Sequence, residues 1–182
     1  MLKEFRDALG KTKPFVLQRS NHSDRIEKYL RRNSPAFDSL EVLKIESLLG
    51  LNKLRITYNR TIDYIAPGVL MAHGHEGRLY TTAGLTSLNL GIKSGQNMVC
   101  GHTHRLGISS VSNGFGGRLN TIWGLEVGHL MDIKSKGAEY ISNKMANWQQ
   151  GFGMLYVEGK HVTPAIVPIN AKNEFIADGE LW

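Results

Sequence analysis

Apolar residues Leu2, Phe5, Ala8 and Leu9 recur at helical spacing and stop at Gly10, which predicts a first helix over 2–9 with a glycine terminator. Pro14 then opens Phe15-Val16-Leu17-Gln18, a run that suits a strand. Asn21-His22-Ser23-Asp24 follows as a loop rich in N-capping residues, ahead of a helix over 25–32. Leu40, Leu43, Ile45, Leu48 and Leu49 restore the helical spacing and predict a helix over 39–49, ended by Gly50.

Beyond Lys53 the pattern turns to β. Leu54 to Tyr58 alternates, Tyr64-Ile65 runs into a Pro67-Gly68 turn, and Val69-Leu70-Met71-Ala72 reads as a buried strand. A helix over 82–92, with Leu85, Leu88 and Ile92 on one face, separates it from a second buried strand, Asn97-Met98-Val99-Cys100. From Leu106 to Ile169, β-type runs alternate with turn signals at Asn113-Gly114, Glu158-Gly159 and Pro168, and the clearest hairpin pairs 154–157 with 161–162. Gly114-Phe115-Gly116-Gly117-Arg118 lacks the Gly-Lys-Ser/Thr of a phosphate-binding loop and is read as a hairpin loop. The tail 173–182 is weakly patterned. Early helices, one helix between two buried strands and β-type runs thereafter predict an α/β fold.

With 182 residues, 41% hydrophobic and 21% charged, the chain has the size and composition of a single globular domain over 1–182. No apolar run reaches membrane-spanning length, and the first residues mix charged with apolar groups, so a cytoplasmic protein without a membrane partner is expected. The single cysteine, Cys100, excludes an intramolecular disulfide; its place in a buried strand suits packing. A net charge of +6 favours an anionic partner, a phosphorylated substrate or nucleic acid. Arg25, Lys28, Arg31 and Arg32 are expected to form a solvated face, and Trp123, Trp148 and Trp182 to pack rather than build a stacking platform.

The chemistry concentrates in the histidines. Of the seven, four form two H-x-H pairs, His73-Gly74-His75 and His102-Thr103-His104, each at the end of an apolar strand and beside glycine. Residues two apart in extended backbone face the same way, so each pair can aim two imidazoles at one point, which is what a metal ion needs. For His73, His102 and His104 metal ligation is the preferred reading; for His75 and His129 it is a strand-end or backbone hydrogen-bonding role.

Gly101-His102-Thr103-His104 matches the G-H-x-H motif of calcineurin-like metallophosphoesterases, and Met71-Ala72-His73-Gly74-His75 resembles the strand-to-His-Gly segment upstream of it. Ser20-Asn21-His22-Ser23-Asp24 is similar to that family's G-N-H-(D/E) block with Ser20 in place of Gly, and Asn147-Trp148-Gln149-Gln150-Gly151-Phe152 resembles members from phages and bacteria. The resemblance spans about residues 1 to 170 and implies two packed mixed sheets flanked by helices, an αββα sandwich lacking its N-terminal strands. It implies hydrolysis of a phosphomonoester or phosphodiester by metal-activated water. Asn21, His73, His102 and His104 would be metal ligands, His22 the catalytic residue at the phosphate, and His75 a supporting residue. The metal would be a divalent transition ion (Mn, Zn, Fe or Ni), two in a complete family member. The D-x-H and G-D-x-x-D blocks of the family do not occur: Asp7, Asp24, Asp38, Asp63, Asp132 and Asp178 include none followed two residues later by His and none preceded by Gly. Without the bridging carboxylate one ion is expected here rather than two, with weak activity for this chain alone. A truncated or split enzyme remains open, completed by an N-terminal chain or by homo-oligomerisation. So does a non-catalytic interaction module derived from the fold.

Overall fold

The helical stripe at the start of the chain forms α1 (Leu2–Leu9), which Gly10 ends at φ 75°. Its one buried side chain is Arg6. The Arg6 guanidinium donates hydrogen bonds to the carbonyls of Gly10, Lys13, Leu54 and Arg55, each at 2.8 Å, and lies 5.2 Å from the centre of the Phe15 ring. A buried cation is tolerable because four of its five N–H donors are hydrogen-bonded, and here it ties α1 to the loop around residue 54. β1 (Val16–Gln18) leads to α2 (Asp24–Asn33), and β1 pairs in parallel with β2 (Thr57–Asn59).

Between α2 and β2 a 3-10 turn over Pro35–Phe37 comes first, and the predicted helix over 39–49 is broken into a second 3-10 turn, Glu41–Leu43, and a single α-turn, α3 (Ile45–Leu48). Leu40 and Lys44 interrupt it with extended backbone, ψ 115° and 144°. Ile45 is buried, but Leu40, Leu48 and Leu49 are exposed. A helical stripe with nothing to pack against is marginal at this length, so local turns win. The predicted strand from Leu54 is likewise shortened, because Arg55 takes a left-handed φ of 51°.

The computed structural model describes residues 1–132 and 146–182, which divide into two units, Met1–Ile62 and Asp63–Trp182. The second is built on a five-stranded mixed sheet. β3 (Asp63–Ala66) and β4 (Val69–Met71) form a hairpin turning at Gly68, and β4, β5 (Asn97–Cys100) and β7 (Arg118–Val127) run parallel. β6 (Leu106–Phe115) pairs antiparallel with β7, giving the order β3-β4-β5-β7-β6. The chain is therefore α/β. α4 (Leu85–Ser94) connects β4 to β5; it starts later than the sequence pattern suggests because Gly84, at φ 82°, is left-handed.

Ala72, Leu90, Met98 and Cys100 form a core that includes α4, while Val69, Val99, Trp123 and Leu125 form another that packs against Leu155 and Val162. Those last two belong to a hairpin of β8 (Gly151–Glu158) and β9 (His161–Pro168), which includes the pairing expected for 154–157 and 161–162 and extends it at both ends. The Asn113-Gly114 turn is displaced: both residues pair within the β6–β7 ladder, and the chain reverses at Gly116-Gly117, whose φ values of 63° and 81° suit a two-residue hairpin turn. The weakly patterned tail holds a small antiparallel pair, β10 (Ile176–Ala177) and β11 (Glu180–Leu181). Among the described residues no helix is long and apolar enough to cross a membrane.

α4 lies on β7 so closely that a Cβ on Gly124 would run into the Leu88 backbone nitrogen. Gly124→Ala should therefore destabilise this unit by about 1–3 kcal/mol or more, read as a lowered denaturation midpoint.

Candidate functional site

Two neighbouring parallel strands bring the motif histidines together. Past β4 the ladder continues as the Ala72 N–H donates to the Val99 carbonyl at 3.0 Å. The His73 carbonyl then accepts both the Gly101 N–H (3.1 Å) and the His102 N–H (2.8 Å). These two hydrogen bonds to one oxygen fix the ends of β4 and β5 side by side. Gly74 makes the approach feasible: at φ 111° a Cβ would sit 3.1 Å from His102 Cβ and 3.2 Å from Cys100 Cβ.

The outcome is a pair of imidazoles facing each other, His73 Nε2 and His102 Nδ1 at 3.0 Å. The His75 ring completes a group, 5.4 Å from His73 and 6.1 Å from His102 between centres. Glu76 adds a carboxylate: it accepts the Gly74 N–H at 2.7 Å and lies 3.5 Å from His75 Nδ1. Behind them Cys100 is buried, and desolvation pushes its thiol far above the ordinary range, so it packs rather than reacts.

His104 keeps different company. Its backbone is left-handed (φ 58°), and its ring meets Trp148 edge-on at 4.2 Å and His129 at 5.9 Å. His129 stands just past β7, the third parallel strand, and burial lowers its pKa below the usual imidazole value. Its Nδ1 accepts the Met131 N–H at 3.2 Å. Residues 147–151 are laced to this corner: the Gln149 N–H donates to the His104 carbonyl, the His129 N–H to the Gln149 carbonyl, and the Gly151 N–H to the His129 carbonyl, at 3.0–3.2 Å. The signal for His129 was present in the sequence, because Val127-Gly128-His129 repeats the strand, glycine, histidine order of Cys100-Gly101-His102.

Asn21 and His22 lie in the other unit, in the turn between β1 and α2. Ser20 and Ser23 close that turn reciprocally, the Ser20 N–H donating to Ser23 Oγ at 2.9 Å and the Ser23 N–H to Ser20 Oγ at 3.1 Å. Serine at position 20 thus has a structural use. Arg19 grips Asp24 with two hydrogen bonds, 2.6 and 2.9 Å, while Lys28 approaches at 3.5 Å. Arg31 of α2 pairs locally too, lying near Glu27 and Asp38.

A metal would need several such donors at about 2.0–2.1 Å, which separates adjacent ligand atoms by about 2.9 Å in an octahedron and about 3.4 Å in a tetrahedron. The His73–His102 spacing fits two ligands of such a shell. Among the described residues no group of three His, Cys, Asp or Glu side chains is arranged to hold an ion by itself.

The chain is similar to two phage proteins, the Gene 54 protein of Mycobacterium phage D29, 37% identical over 172 residues, and that of Mycobacterium phage L5, 35% identical over 172 residues. In both cases the match takes in 93% of this chain, which spans 66% of the length of the relative. Neither name states an activity. No family model matches the chain, and no solved structure matches it.

The Arg19 hydrogen bonds hold the Asp24 carboxyl below its ordinary pKa against the opposing effect of burial. Because the folded value is the lower one, the pair contributes stability above the ordinary carboxylate range and loses it as pH falls through the lowered value. Asp24→Asn should lower stability at neutral pH and flatten the acid side of the stability profile, measured by denaturant unfolding across pH 2–7.

Proposed function

We propose that the chain is a metal-dependent phosphoesterase of the calcineurin-like type, hydrolysing a phosphomonoester or phosphodiester. The observation that carries this reading is the facing pair His73 Nε2 and His102 Nδ1 at the carboxyl ends of β4 and β5. Both residues belong to motif blocks whose order along the chain matches the family, and carboxyl ends of parallel strands are where open α/β sheets place ligands. A divalent transition ion held there would polarise a phosphoryl oxygen and lower the pKa of water.

His73 and His102 hold the ion, and His75 with Glu76 supports them from the same loop. His104 enters as a further ligand, and Asn21 and His22 as ligand and phosphate contact, by resemblance. In that role His22 donates a proton to the leaving oxygen. The same reading extends to the fold: α4, the five-stranded sheet and the β8–β9 hairpin correspond to one helical layer, one sheet and part of a second sheet of the αββα sandwich. The third of the relatives' length that lies outside the match leaves room for the D-x-H and G-D-x-x-D blocks. The absence of a three-residue ligand group among the described residues favours the second reading, an interaction module on the same fold.

Purified chain incubated with Mn²⁺ or Zn²⁺ and dialysed should retain metal by elemental analysis. The double variant His73→Ala/His102→Ala should lose it, whereas His161→Ala, on the β9 side of the far hairpin turn, should not. On an activated phosphodiester with Mn²⁺ the chain alone should turn over slowly, several powers of ten below a complete two-metal enzyme. Failure of the wild-type chain to retain any metal would favour the interaction module.

A further inference from the structure

Glu126 is fully buried, with 0% of its surface exposed, on β7, the strand between β5 and β6. Among the described residues no salt bridge compensates it; both of its oxygens accept hydrogen bonds from neutral groups instead. Oε1 takes the Thr86 N–H at 2.9 Å, in the first turn of α4, and Oε2 takes the Thr103 hydroxyl at 2.6 Å. Burying a carboxyl group costs several kcal/mol unless it is well bonded, so a residue kept at such a position is expected to specify something. What it specifies is visible in its second partner. Thr103 is the buried middle residue of His102-Thr103-His104, and its Oγ1 also accepts the Arg105 N–H at 3.3 Å. In this segment the His102 side chain faces His73, while His104 takes its left-handed turn towards Trp148.

We propose that Glu126, acting through the Thr103 hydroxyl, is a positioning residue that sets the direction of the His102 and His104 imidazoles. This assignment deepens the metal-site reading and rests on it for its functional meaning, but its structural content stands on the hydrogen bonds alone. The backbone turns here, the His104 N–H donating to the Gly101 carbonyl at 3.2 Å and His104 taking a left-handed φ of 58°. With Thr103 pulled inward onto Glu126, its two neighbours are turned outward to the rim, His102 on the His73 side and His104 on the Trp148 side. The α4 N-terminus anchors the opposite oxygen, so the carboxyl group cannot follow the loop if the loop moves.

The test uses the full chain as Thr103→Val, Thr103→Ser and Glu126→Gln. Imidazole ¹⁵N–¹H spectra of the metal-free protein report the His73–His102 contact, and Co²⁺ titration followed by its visible absorption reports affinity. Thr103→Val should shift the His102 ring resonances while backbone dispersion is retained, and should weaken Co²⁺ binding by about 10–100-fold. Thr103→Ser, which keeps the hydroxyl, should restore both, and Glu126→Gln should resemble Thr103→Val. Unchanged His102 resonances in Thr103→Val, or in Glu126→Gln if Thr103→Val does not fold, would overturn the assignment. A wild-type chain that binds no Co²⁺ would sink the metal reading of the preceding section instead, and the ring resonances would still decide the role of Glu126.

Discussion

One carbonyl oxygen organises the candidate site. The His73 oxygen accepts two successive N–H groups, from Gly101 and His102, just where β4 and β5 cease to be regular strands. In a parallel ladder each strand end must find partners for backbone groups that the next strand no longer supplies, and buried ones that fail to do so are costly. Here that need is met by making the two motif segments partners of each other. The facing imidazoles, the tight Gly74 turn and the seat of Glu76 all depend on this crossing.

The rim is divided rather than uniform. His73, His75 and His102 gather on one side with a carboxylate, while His104 and His129 gather around Trp148 on the other. The division begins at Thr103, whose hydroxyl is drawn into the interior, and continues through the backbone bonds that hold 149–151 against 104 and 129. The segment 147–152, met in the sequence as a family-like stretch, therefore acts structurally as a brace on the His104 corner.

Much of the fold was legible because it depends on local rules. α1 ends at Gly10, β5 covers Asn97–Cys100, and the 151–168 region forms a hairpin, each where glycine or apolar runs indicate. The failures share a cause. The stripe over 39–49 satisfies helical periodicity but buries little of its apolar surface, and the Asn113-Gly114 pair satisfies turn chemistry but lies inside a ladder that continues to Phe115. Periodicity and turn preference state what a segment can do alone, and tertiary contacts decide which option has partners.

For the site, the sequence by itself determined the histidines: two H-x-H pairs at the ends of apolar strands, each relieved by glycine, in an order that resembles a metallophosphoesterase. It also contained the third strand-glycine-histidine signal at His129. Only the tertiary structure decided that His73 meets His102 while His104 turns to Trp148. It alone drew the buried Glu126 into the matter. Spacing along a strand fixes which way side chains alternate, but which of them meet depends on how two strands 28 residues apart in sequence are registered, and that register is written in hydrogen bonds between segments no local pattern connects.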